Sequence, residues 1–172
     1  MTEYFDTFAD DGSPTGLVER GEVHRRGLWH RSVYALLYRN DGRMLVQRRS
    51  DDKDLYAGCW DYAVGEHLQP GESFEAGIRR GLSEELGIRT PLVLTPLHAP
   101  VRVQNTWDGL IDREEVQGFK GCYDGGLELD PVEVAETDSW SVDQLATALR
   151  EDTPPITPSF RWVIEQFVET PD

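Results

Sequence analysis

The chain has 172 residues, enough for one domain with a core of its own, and five Trp, six Tyr and six Phe supply part of that core. With 32 acidic against 17 basic residues the net charge is −15, which argues against a nucleic-acid polymer or an anionic membrane as partner. The two cysteines give no disulfide framework, no apolar run is long enough to cross a bilayer, and the first residues lack a signal-peptide pattern, so a cytoplasmic protein is expected.

In chain order, "YFDTFADDGSPTGLVER" suggests an N-terminal hairpin turning at Asp11-Gly12, part of an extension over residues 1–28. The clearest hairpin is "SVYALLYRNDGRMLVQRR", two apolar runs around an Asp-Gly turn. From Ser73 to Leu86 the pattern becomes helical: Ser73 suits the N-cap, Gly87 the C-terminal stop, and Phe74, Ile78, Leu82 and Leu86 form an apolar stripe. "LVLTPLHAPVRVQN" and "EEVQGFKGCYD" read as strands around "TWDGLID", and "DSW" closes another. Helices are expected over "SVDQLATALRED", capped by Ser141, and over "TPSFRWVIEQFVE". Strands, a helix, strands and two helices make an α/β chain with helices packed on a mixed sheet, in one domain over residues 1–172.

Residues three and four apart share a helix face, so Gly81, Glu84 and Glu85 form one patch. Two adjacent glutamates alone read as a solvated face. Here the turn Pro70-Gly71-Glu72 brings a third carboxylate to the helix start, where Arg80 can fix it. Clustered carboxylates raise one another's pKa unless a cation joins them, and hard oxygen ligands favour Mg2+ or Mn2+. The basic residues concentrate in "HRRGLWHR" and "QRRSDDK", which suits a small anionic ligand.

Glu72, Arg80, Leu82, Glu84-Glu85, Gly87 and Ile88 stand at the spacing of the Nudix box, G-x5-E-x7-R-E-U-x-E-E-x-G-U, and the stretch over residues 65–88 resembles it closely. Two positions depart: Glu66 stands where the box opens on Gly, and Gly81 where it has Glu. The resemblance implies a Nudix-type α/β/α sandwich and a metal-dependent hydrolase of a nucleoside diphosphate-X or other organic di- or polyphosphate. It implies Glu84 and Glu85 as metal ligands and catalytic groups, with Arg80 and Glu72 as the supporting pair and Glu72 close enough to join the metal. We expect Glu66 to replace the carboxylate missing at Gly81. The alternative is a weakly catalytic module that binds a nucleotide or diphosphate.

"LWHRSVYALLY", "LVQRRSDDK", "AGCWDYAVGEHL" and "ITPSFRW" resemble the isopentenyl-diphosphate isomerase-like branch of the family. That likeness implies a diphosphate grip by Arg49 and Lys53, metal contacts from His67 and from histidines at or near His24 and His30, and a metal-binding or proton-handling glutamate in "DREEVQGF", for which Glu115 is the expected match. The isomerase's Cys position is Gly65, so isomerase chemistry is rejected; Cys59 is expected to pack as a small apolar group and His98 to be structural. Trp107, Trp140 and Trp162 are candidates for base stacking or for the core, with the core favoured for Trp162. A homodimer is compatible with the family, but no residue demands one.

Overall fold

In the computed structural model the described residues are 2–53, 55–107 and 109–169, without the side chain of Trp107. The N-terminal hairpin forms as expected, β1 (Tyr4–Phe8) against β2 (Pro14–Glu19). A helix not anticipated from the sequence follows, α1 (Arg20–Arg26). The Glu19 carboxylate caps it by accepting from the Gly21 and Glu22 amides, and Gly27 ends it at φ 61°. A side chain at Gly27 would also lie 2.9 Å from Ile111, so the backbone turn and the packing both call for glycine.

Among the described residues ten strands form one mixed sheet around β3 (Trp29–Tyr38). One edge of β3 pairs in parallel with β9 (Leu110–Cys122) along its whole length. The other edge is shared end to end by β1 at Trp29, by β6 (Val64–His67) at Ser32–Ala35, and by β4 (Met44–Arg49) at Leu37 and Tyr38. The β3–β4 hairpin turns at Asp41-Gly42, with Gly42 at φ 84°. Strands β7 (Thr95–Pro96) and β8 (Val101–Trp107) pair with β9, while β5 (Trp60–Tyr62) and β10 (Val134–Trp140) pair with β4.

Helix α2 (Phe74–Leu86) covers one face of the sheet, with Ile78, Leu82 and Leu86 buried against Val33, Ala35 and Leu37. Helices α3 (Val142–Glu151) and α4 (Pro158–Phe167) cover the other, where Leu145, Phe160 and Ile164 meet Tyr34, Leu36 and Val46. The alternation of β3 thus divides two cores, and the result is the expected α/β/α sandwich. Ser73 and Ser141 cap their helices as expected, and Thr157 caps α4. Both cysteines are free, Cys59 half-buried and Cys122 exposed. Among the described residues no helix is long and apolar enough to cross a membrane.

Candidate functional site

Two groups of polar side chains lie on opposite faces of the sheet. On the α2 face, Arg80 gathers the acidic residues of the box. Its guanidinium donates to Glu72 twice at 3.0 Å, to Glu66 at 2.5 Å, to Glu84 at 3.1 Å and to the His67 carbonyl at 2.8 Å. Both oxygens of Glu72 are thereby engaged, one of them also by the Gln69 amide. Burial alone would raise the Glu72 carboxyl, but Arg80 and the Gln69 amide hold it below its ordinary value. Burial has the upper hand at Glu66, whose carboxyl is raised even beside Arg80.

Glu85 is buried, and the Gln47 amide donates to it at 3.0 Å. Loss of water pushes its carboxyl up to about 8, and nearby Glu66 and Glu133 add to the rise. Glu84, one residue away, is exposed. A Cβ at Gly81 would lie 2.8 Å from Val64 and 3.2–3.3 Å from the Cγ and Cβ of Glu66. Glu66 therefore fills the space next to the helix position that lacks a carboxylate, and the close β6–α2 approach leaves no room for a longer side chain at 81. Arg49 and Lys53 are engaged already: Arg49 with the Leu55 carbonyl at 3.1–3.2 Å and with Asp61 at 3.4 Å, and Lys53 with Glu133.

The second group lies on the α4 face. His67 follows Glu66 along β6, so its side chain points to the opposite face, away from the box glutamates with which the sequence had placed it. It joins His24 from α1, His30 from β3 and Asp112 from β9, and one donor atom from each of these four lies within 4.8 Å of the others. Glu114 stands beside them, 3.3 Å from His67 Nε2 and 4.0 Å from His30 Nε2. Glu115, the expected strand carboxylate, is turned to the other face and pairs with Arg31 at 2.7 Å. Glu114 and Asp112, two residues apart on β9, are the pair that faces the histidines.

This group has the marks of a metal site. Nε2 of His24, Nε2 of His30 and Oδ1 of Asp112 are buried without a hydrogen-bond partner. The Leu28 carbonyl accepts from His30 Nδ1 at 3.1 Å, which leaves the Nε2 lone pair turned inward. Phe5 stacks on His30 at 5.2 Å and meets His67 in a tilted contact at 4.7 Å, bracing both rings. Burial and the charge on His67 lower His24 and His30 to about 4, so both rings are neutral and able to ligate at pH 7. Burial opposes the charged form of His67, but Glu114 outweighs it and raises that imidazole. The same contact overcomes burial at Glu114 and lowers it to about 2, while burial and Glu114 together push Asp112 up to about 7. Three imidazoles with carboxylates suit a divalent transition ion better than Mg2+.

A cavity of about 290 Å3 opens beside Glu114, lined among others by Tyr62, Asn105, Ser159 and Trp162. Trp162, expected in the core, packs partly buried against the core under α4 and also lines this cavity, whereas Trp140 is buried. His98 is structural as expected, bonded to the Tyr34 hydroxyl at 2.7 Å and stacked on Phe167. The side chain of Trp107 lies outside the described residues.

The family model described as the NUDIX domain matches residues 28–163. The chain belongs to the Nudix family. An uncharacterised Nudix hydrolase, orf19 of Rhodococcus erythropolis, is 32% identical over 161 residues, covering 91% of this chain and 86% of that protein. An isopentenyl-diphosphate Δ-isomerase of Burkholderia multivorans is 30% identical over 156 residues, covering 91% and 88%. Among solved structures, DR0079 from Deinococcus radiodurans shares the fold with a TM-score of 0.77 at 19% identity, over 97% of this chain and all of that one. The box helix expected from the sequence thus lies within the residues that the NUDIX model matches, and the expected likeness to the isomerases appears among the relatives.

Proposed function

We propose that this Nudix domain is a divalent-metal-dependent hydrolase that cleaves the phosphoanhydride bond of an organic di- or polyphosphate. The observation that carries this reading is Glu85: a buried carboxylate on the box helix whose one hydrogen-bond donor among the described residues is the neutral Gln47 amide. Such a group is stable as an anion only beside a cation. Glu85 and Glu84 hold that ion, with Glu66 supplying the carboxylate missing at Gly81. When bound, the ion neutralises phosphate oxygens and makes water a stronger nucleophile.

Arg80 positions Glu66 and Glu72, and the Glu72 pair serves that purpose rather than ligation. Arg49 and Lys53 exchange their present partners for the second phosphate. The three histidines with Asp112 and Glu114 hold a second ion of softer preference, Mn2+ among the candidates. Glu114→Gln is expected to weaken Mn2+ binding at the histidine group at least tenfold, read by calorimetry, while Glu115→Gln leaves it within twofold. Equal effects of the two would remove the assignment of Glu114.

Isomerase chemistry needs a thiol where Gly65 stands. The space above Gly65 is taken by the Tyr62 ring, 2.5 Å from where a Cβ would be. The test is hydrolysis of nucleoside di- and triphosphates, nucleotide sugars and prenyl diphosphates under Mg2+ and Mn2+, with Glu85→Gln and Glu66→Gln in parallel. Metal-dependent release of phosphate or monophosphate, lost in Glu85→Gln and strongly reduced in Glu66→Gln, is expected. Metal-dependent binding of a diphosphate with no turnover would replace the hydrolase by a binding module.

A further inference from the structure

Strand β4 carries three kinds of side chain in turn on its α2 face. Leu45 belongs to the core under α2, Gln47 donates to Glu85, and Arg49 stands in the arm proposed for phosphate. Side chains two apart on a strand share a face, so the three form one column. The neighbouring strand β5 repeats the change. Ala63 lies in the same core, and Asp61, the cross-strand partner of Gln47, is a buried carboxylate. Gln47 is 3% exposed and Asp61 4%, so the interior does not end here; it turns polar while still closed to water.

The fold alone gives little reason for a glutamine at 47. Its Nε2 donates to Glu85 Oε2 at 3.0 Å, but its Oε1 is buried without a hydrogen-bond partner among the described residues. A buried acceptor left unpaired is destabilising, whereas an apolar side chain of the same shape carries no such cost. The amide is explained by what it holds, one oxygen of Glu85.

The charge of this brace matters as much as its place. Arg80 takes both oxygens of Glu72 and one oxygen each of Glu66 and Glu84. Arg49 is tied to Asp61 and the Leu55 carbonyl, and Lys53 to Glu133. Among the described residues none of these three cations pairs with Glu85. Glu85 is braced instead by a neutral donor, which fixes the direction of a carboxylate without cancelling its charge.

We propose that Gln47 is the positioning residue of Glu85: its amide holds one carboxylate oxygen and leaves the other, with the full charge, for a divalent ion. This deepens the hydrolase reading by naming the group that keeps the ion-holding carboxylate both oriented and charged. It rests on that reading for the place of the ion.

The test uses the full chain and Mg2+ alone. Mg2+ is titrated calorimetrically into the wild type, Gln47→Met, Gln47→Lys and Glu85→Gln, and each is melted with and without the ion. Glu85→Gln is expected to remove the binding seen in the wild type. Gln47→Met loses one hydrogen bond and one unpaired acceptor together, so its metal-free Tm should stay within about 3 °C of the wild type. Its Mg2+ affinity should nevertheless fall about 10- to 100-fold, the usual effect of removing a group that orients a ligand. Gln47→Lys keeps a donor but adds a charge, and should lose Mg2+ binding as fully as Glu85→Gln. A merely structural glutamine would give the reverse in Gln47→Met, a lower Tm with Mg2+ affinity within about threefold of the wild type, and that result overturns the assignment. Wild-type Mg2+ affinity in Gln47→Lys also overturns it. Binding that survives Glu85→Gln removes it together with the place of the ion. Hydrolysis is assayed separately: the expected binding pattern without turnover of any diphosphate leaves Gln47 in place and removes the hydrolase.

Discussion

Arg80→Ala is expected to lower the stability of the metal-free protein by about 3–5 kcal/mol, the usual cost of removing one partner from a buried ion pair. Arg80 is well shielded, with 18% of its side chain exposed, and Glu66 and Glu72 beside it are similarly covered at 21% and 13%. Its guanidinium also donates to Glu84 and to the His67 carbonyl. Deleting it leaves two part-buried carboxylates repelling each other and the β6 carbonyl without its donor. Two effects compete, because protonation of Glu66 relieves part of the loss; its carboxyl is already raised by burial. The loss should therefore be smaller at pH 5 than at pH 8. In a chain of 172 residues the full effect corresponds to a fall in Tm of roughly 10 °C. Arg80→Lys should recover less than half of it, since one ammonium cannot replace a planar fork bonded to four groups. Urea unfolding at the two pH values measures this, and a loss below about 1 kcal/mol at pH 8 would show that Arg80 does not hold the cluster together.

The box helix was legible because its information is local. Spacing, cap and stop residues and the apolar stripe all fall within residues 73–87, and the helix forms where they say. The histidine group was only half legible, because it depends on strand pairing. Its members come from α1, β3, β6 and β9, and the parallel pairing of His30 with Glu114 crosses 84 positions of chain. Choosing Glu115 instead of Glu114 is a shift of one residue, and in a strand that moves a side chain to the other face. The same alternation separates His67 from Glu66. A local signal was nevertheless present, since Asp112 and Glu114 are two apart and must share a face of any strand that holds both. Helix α1 escaped notice because its seven residues carry little periodicity and its cap, Glu19, is not among the favoured residue types. Tyr62 over Gly65 could not be read at all: nothing in the sequence says which way a ring will lean.

Glu85→Gln should abolish at least 99.9% of hydrolysis while making the metal-free protein more stable, a combination that an ordinary core residue would not give. Glu85 is buried and its carboxyl is raised from 4.5 to about 8. Between those values the folded state binds a proton that the unfolded state releases, so stability falls as pH rises from about 4.5 to about 8 and is lowest above it. A tenfold change in proton affinity corresponds to about 1.4 kcal/mol, which sets a ceiling of about 5 kcal/mol for the penalty at pH 9. The glutamine carries no charge and has nearly the same shape, so it escapes this penalty. The gain over the wild type should therefore be near zero at pH 4.5 and grow steadily towards pH 8. Asp112, raised to about 7, also titrates in this range, but it is common to both proteins and cancels in the difference. Added Mg2+ supplies the missing counter-charge, so it should stabilise the wild type most at high pH and Glu85→Gln hardly at all. Thermal melts of both proteins from pH 5 to 9, with and without Mg2+, decide the matter. A pH-independent difference between them would mean that Glu85 is held charged by other groups in the fold. Equal Mg2+ stabilisation of both would move the ion away from the box helix and towards the histidine group.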